Sequence, residues 1–213
     1  MIKAVIFDLG LVLTGSEWLL VYGEISKESK IPEEKVREVV NSLFIKWSSG
    51  KIDEDGFWKE FEIQTGVSLS KEFTKDFFLK TYKEWSKDIK ESWEILVELK
   101  AKGIRLALLS NTIEPHVLAN EEMGRLEKLR DIGFEAFIWS YEEGFRKPDP
   151  RIYKVMLAKL NLPAEACAFV DDDLENVEAA KELGMRGIHF QTPEQLRKDL
   201  TELGLLLIGS NLV

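Results

Sequence analysis

The chain has 213 residues, 45% of them hydrophobic and 31% charged, with a net charge of −9. That length fits one ordinary domain plus an insertion, and the composition is that of a folded globular protein, which excludes disordered and fibrous classes. The acidic balance argues against a nucleic-acid backbone as partner and means that an anionic substrate needs a local cationic device.

Residues 2–7 (IKAVIF) read as a short buried strand, continuously apolar after Lys3 as the centre of a parallel sheet is. The strand follows Met1 directly and no apolar run reaches membrane-spanning length, so neither a signal peptide nor a membrane segment is expected. From about Gly15 to Asp88 no comparable strand occurs. Helical periodicity takes its place: Val36, Val39, Val40 and Leu43, then Phe57, Trp58 and Phe61, then Phe73, Phe77 and Phe78. Pro32 sits where a helix opens, and Asp53 and Ser70 are candidate N-caps, so this stretch reads as an inserted bundle of about four helices. From Ile89 onward strands and helices alternate. A helix over 90–102 stops at Gly103, a strand follows at 104–109, and then a helix from about 114 to 131 and a strand near 136–139. Asp149 and Pro150 open the next helix; strand 166–170, a helix at about 174–183 and a strand at 186–190 complete the alternation. Thr192–Pro193, with Gln195 at the capping-box position, starts the last helix. This order predicts βαβ units and a Rossmann-like parallel sheet, an α/β core over 1–14 and 89–213 with a helical cap over 15–88. The single cysteine, Cys167, reads as a small buried hydrophobe and excludes a disulfide within the chain, in keeping with a cytoplasmic protein. The apolar tail 204–213 docks on its own domain or makes a dimer contact, so a monomer or a homodimer is expected.

Four polar groups fall at strand ends or on a stiff loop, where open parallel sheets bind ligands. Asp8 directly follows the first strand and is succeeded by Leu9 and Gly10; an aspartate there either attacks phosphorus to form an aspartyl phosphate or simply ends the strand in a turn. Ser110 and Asn111 end the strand IRLALL, where a hydroxyl and backbone N–H groups hold a phosphate oxygen or cap the next helix. Lys147 lies in a Gly-Phe-Arg-Lys-Pro-Asp-Pro turn whose prolines stiffen the loop, a fixed cation for a carboxylate and a phosphoryl group; Arg146 beside it reads as a surface or salt-bridge residue. Asp171, Asp172 and Asp173 follow the buried run AFV, and a hard cation relieves their mutual repulsion better than any neutral partner. Asp173 is the natural cap of the helix near Leu174.

Together, DLG-x-VL, LSNT, G-x-RKP-x-x-RIY and DD-x-x-x-N resemble the haloacid dehalogenase superfamily, and within it a subgroup of small sugar-phosphate phosphatases related to the phosphatase domain of soluble epoxide hydrolases. The resemblance covers the whole chain. It implies Asp8 as nucleophile, Ser110 as the second-motif hydroxyl, Lys147 as the third-motif lysine, and magnesium bound by Asp8, Asp172 with Asp171 beside it, and the backbone carbonyl of Gly10. It also implies a small phosphorylated metabolite as substrate. One departure stands out: Gly10 occupies the place where most of the superfamily's phosphatases carry an acid/base aspartate, a loss that typically costs about 10²–10⁴ in rate. Asn176 stands where many members have another aspartate. Two rivals follow: a non-catalytic or weakly active binding protein, favoured by Gly10, and a 2-haloacid dehalogenase, disfavoured by the acid pair. Trp18 and Trp47 are candidate substrate contacts from the helical insertion, with Tyr22 and Lys51 beside them; helical cap core is the alternative place for the aromatic residues. His116 and His189 receive no role.

Overall fold

The computed structural model describes residues 1–15 and 18–207, with the side chains of Trp18 and Leu19 left out of the description. In chain order it begins with β1 (Ala4–Phe7), β2 (Thr14–Gly15), α1 (Trp18–Ser29), α2 (Glu33–Trp47), α3 (Glu54–Thr65), α4 (Lys71–Thr74), α5 (Phe77–Trp85) and β3 (Lys87–Asp88). It continues with α6 (Lys90–Ala101), β4 (Arg105–Ser110), α7 (Glu114–Glu122), α8 (Arg125–Ile132), β5 (Phe134–Trp139) and α9 (Ser140–Glu143). Last come α10 (Pro150–Leu160), β6 (Cys167–Asp171), α11 (Leu174–Glu182), β7 (Arg186–His189) and α12 (Pro193–Glu202).

All four residues of β1 are fully buried, because helices cover both faces of the sheet. Val5 and Phe7 point to the side packed by α6, α8 and α12, through Leu96, Leu129 and Leu196. Ala4 and Ile6 point to the opposite side, where Ile152, Tyr153 and Met156 of α10 meet them. Strand order is β5-β4-β1-β6-β7, every neighbouring pair parallel. The chain lays down β4 and β5 on one side of β1, then crosses to build β6 and β7 on the other. A crevice therefore opens beyond the carboxyl ends of β1 and β6, where the order reverses.

The caps behave as the sequence predicts. Asp53, Ser70, Asp149 and Thr192 accept hydrogen bonds from the amides of Gly56, Phe73, Arg151 and Gln195 at 2.8–3.2 Å. Two readings change. The helix expected at 114–131 is two, because Gly124 takes a left-handed conformation (φ 72°) and turns the chain between α7 and α8. The stretch read as about four helices holds α1, α2, α3, α5 and the single turn α4.

These five helices gather around their own aromatic core of Trp47, Phe57, Phe61, Phe77 and Phe78, joined by Ile113 from the start of α7. The insertion leaves and returns on one antiparallel ribbon, Thr14 opposite Asp88 and Gly15 opposite Lys87. Of the apolar tail, Leu205 and Leu206 bury in the core beneath the sheet; residues 208–213 lie outside the description.

Candidate active site

The crevice predicted by strand order is a cleft of about 260 Å³. At its base Lys147 is 2% exposed, and its Nζ donates three hydrogen bonds: to Asp8 Oδ1 at 2.7 Å, Asp171 Oδ2 at 2.6 Å and the Leu109 carbonyl at 2.9 Å. An ammonium has three protons, so all are used and its position is fixed. The loop that carries it is pinned by Asn111, whose side-chain Nδ2 donates to the Lys147 carbonyl at 2.9 Å while its Oδ1 accepts from the Lys147 amide at 2.8 Å. The side chain of Asn111, expected to contact substrate, is thus a clamp on the lysine loop.

Asp171 is equally committed. Its Oδ1 accepts from the Asp173 amide at 2.9 Å and from Asn176 Nδ2 at 3.1 Å, while Oδ2 takes Lys147. Asp173 caps α11 through the Glu175 amide, as its position in the sequence predicts. Asp172, between them, has its carbonyl held by His189 Nε2 at 2.9 Å, and with a carbonyl as acceptor that nitrogen must carry the proton. The two histidines, unassigned from sequence, both matter to the cleft: His189 braces the acid loop and His116 lines the wall.

The electrostatics are strained in a consistent direction. Burial pushes the Asp8 carboxyl up to about 7; Lys147 pulls it down, and the charge of Asp171 pushes it up again. Burial likewise lifts Asp172 to about 6, with the repulsion of Asp171 adding to it. For Lys147 burial works downward, yet Asp171 and Asp8 outweigh it and hold the ammonium above its ordinary value. Asp8, Asp171 and Asp172 each bring a carboxylate oxygen within 4.8 Å of the others. Three carboxylates against one ammonium leave two negative charges, the charge of a single divalent cation, and every donor is a hard oxygen. The residues present therefore fit magnesium. Because both oxygens of Asp171 are engaged, Asp8 and Asp172 are the freer donors.

Ser110, buried to 4% exposure, lines the cleft beside Asp8 and Lys147, and Gly10 lines it too. A Cβ built on Gly10 meets no atom of the described residues within 4 Å, so their packing does not demand glycine there. Trp47 is a correction. It does not reach this cleft; it is 3% exposed and stacks in the helical core, its ring 5.0 Å from Phe78 and 5.4 Å from Phe57, because it continues the buried stripe of α2. Tyr22 lies in the same core, its hydroxyl donating to Asn41. The side chain of Trp18, the other expected contact, lies outside the description.

The insertion reaches the cleft instead through Phe44 of α2 and Tyr82 of α5, neither singled out from the sequence. Phe44 carried a legible signal: it is an aromatic one position off the buried stripe 36-39-40-43-47. Arg146, read as a surface or salt-bridge residue, also lines the cleft, and its buried Nε has no hydrogen-bond partner among the described residues.

A family model, haloacid dehalogenase-like hydrolase, matches residues 2–184. The mouse acyl-CoA dehydrogenase family member 10 is 30% identical over 211 residues, 94% of this chain, which spans 19% of that protein's length. The sesquiterpene phosphatase astK of Aspergillus oryzae is 28% identical over 192 residues, covering 88% of this chain and 89% of its own. Among solved structures, a haloacid dehalogenase family enzyme of Bacteroides thetaiotaomicron, in complex with magnesium and inorganic phosphate, superposes with a TM-score of 0.73 at 23% identity. That match covers 90% of this chain and 95% of the other, and it establishes a shared fold.

Proposed function

The chain belongs to the haloacid dehalogenase-like hydrolases, and from that premise we propose that it is a magnesium-dependent phosphatase of a small phosphorylated metabolite, acting through an aspartyl phosphate on Asp8. The observation that carries this reading is the buried Lys147 ammonium, which bridges Asp8 at 2.7 Å and Asp171 at 2.6 Å beyond the strand ends. On this reading the helices between β2 and β3 form a cap over a core made of residues 1–14 and 89–213.

Lys147 holds Asp8 by Oδ1, which leaves Oδ2 to attack phosphorus. The P–O bond to the alcohol breaks as the Asp8–phosphorus bond forms, and the ammonium, already desolvated, offsets the charge gathered between carboxylate and phosphoryl group. The Ser110 hydroxyl and the backbone N–H of Asn111 receive a phosphoryl oxygen; the next amide, of Thr112, is already given to Ser140 Oγ. Water then attacks the aspartyl phosphate, releasing inorganic phosphate and restoring the carboxylate. Asp8, Asp172 and the Gly10 carbonyl would hold the magnesium, with Asp171 in support; bound there, the ion supplies Lewis-acid polarisation of a phosphate oxygen. With glycine at position 10, no side chain at that place protonates the departing alkoxide, and its proton comes from solvent or from the substrate. The same gap favours a second reading, a binding protein that turns over slowly.

Hydrolysis of a panel of phosphate esters, with and without magnesium, tests the assignment. We expect magnesium-dependent release of phosphate by the wild type and at least a 10³-fold loss in Asp8→Asn, with the fold retained by circular dichroism. Equal turnover in both proteins would sink the nucleophile. Absence of turnover on every ester would favour the binding protein, and chloride release from a chloroacid without metal would favour a dehalogenase.

A further inference from the structure

We propose, resting on the phosphatase reading above, that the organic half of the ester is apolar and is seated on a wall made by Leu11, Phe44, Tyr82 and His116.

The cleft divides chemically into two halves. Among the described residues, its charged groups all belong to the strand ends and the lysine loop. The opposite wall comes from the turn after β1 and from helices α2, α5 and α7. There the imidazole of His116 stacks on Tyr82 with ring centroids 4.4 Å apart and 30° between planes, and Phe44 lies 6.4 Å from the same imidazole. Burial pushes His116 down to about 3, so at neutral pH it is an uncharged ring. The three rings form one aromatic surface running from the insertion to α7.

Two hydroxyls on this side already have a partner inside the protein. The Tyr82 hydroxyl accepts from Asn120 Nδ2 at 3.0 Å, and the Thr14 hydroxyl donates to the Leu9 carbonyl. Sugar hydroxyls placed against the faces of these rings would lose water without a hydrogen bond to replace it, whereas a hydrocarbon group gains from the same transfer.

Leu11 supplies the independent observation. It sits three residues after Asp8 with φ +60°, a left-handed conformation that glycine adopts freely and a leucine adopts at a cost. Its amide donates to the Thr14 carbonyl at 2.6 Å, closing the turn, while the side chain stays 46% exposed at the cleft. An apolar side chain held in a strained backbone and left wet beside the nucleophile gains its return only when a ligand covers it. At about 260 Å³ the cleft limits that ligand to a phosphate and a group of modest size.

The test uses esters of primary alcohols, 2-phenylethyl phosphate and hexyl phosphate against glycerol 3-phosphate and glucose 6-phosphate, all with magnesium; the polyol alkoxides are the less basic leaving groups, so leaving-group chemistry alone works against the expected preference. We expect the apolar pair to exceed the polyol pair at least tenfold in kcat/KM. Tyr82→Ala and Leu11→Gly should each cut that preference severalfold, mainly through KM for 2-phenylethyl phosphate. Leu11→Gly relieves a strained turn and so keeps the test open should Tyr82→Ala fail to fold. Preference for the polyol esters overturns the apolar wall while leaving the phosphatase reading standing. Failure to hydrolyse any of the four overturns both.

Discussion

The floor and the roof of the cleft are held together by different physics. On the floor, Lys147 and Asp171 are almost fully buried, and every polar atom of their side chains is tied to a named partner at 2.6–3.1 Å. The roof is fixed by contact between rings: Trp47, Phe57, Trp58, Phe77 and Phe78 pack with centroids 4.9–5.6 Å apart, and its ion pairs, such as Lys46–Glu60, lie at the surface. Directional bonds set the places of individual atoms, while apolar packing sets only shape and volume. The floor can therefore specify a reaction, and the roof can change its lining without disturbing that reaction.

The sharpest way to break this contrast is Lys147→Ala. Removing the ammonium leaves Asp8 and Asp171 facing one another in a dry site, so activity should fall at least 10³-fold and stability by about 3–5 kcal/mol. A denaturant titration beside the kinetics checks both; retention of either would show the floor to be less tightly coupled than its geometry implies. Next is the seam between the layers. Gly50 has φ +67°, and a Cβ there would clash with the Tyr141 carbonyl oxygen on the core side. Gly50→Ala should cost about 1–3 kcal/mol by combining backbone strain with a backbone clash, read as a lowered Tm. Third, Gly10→Asp places a carboxyl in open space on the floor and should raise kcat on alkyl phosphates about 10-fold, with little gain on esters whose leaving group needs no proton. An unchanged kcat would show that the departing alkoxide already has a proton donor.

The smallest effect belongs to the roof. Burial, then the charges of Asp76, Asp55 and Glu114, push Glu54 up to about 7 from the ordinary 4.5. The folded state thus binds this proton more tightly than the unfolded chain does. Stability from this residue is greatest below about pH 4.5, declines as pH climbs through about 7 and is flat above. Glu54→Gln should remove that decline and stabilise the protein at pH 8 by about 1 kcal/mol, after discounting for the half of the residue in water. Chemical denaturation at pH 5 and pH 8 separates the outcomes: an equal effect at both would refute the assignment.

The contrast also explains what could be read from the residues alone. Asp8, Ser110 and the acid cluster stand at abrupt apolar-to-polar junctions, which the sheet forces to one edge, and Lys147 stands on a proline-stiffened loop, so sequence order locates the floor. Nothing comparable marks the roof. Trp47 and Phe44 lie on one helix and are both aromatic; only the phase of the buried stripe separates a core ring from a lining ring. Tyr82 and His116 come together from elements 34 positions apart, a meeting no local pattern records. His189 escapes for a further reason, since it acts on a backbone carbonyl and leaves no complementary side chain to notice.

The ribbon of β2 and β3 carries one more consequence. Both crossings between layers run side by side there, the Leu13 carbonyl receives the Ile89 amide and the Trp93 indole at 2.9 Å, and the buried Arg125 grips Asp88 and Ser86 from below. Both connections of the helical insertion therefore rest on one short ribbon, and a change at Asp88 or Ser86 reaches both at once.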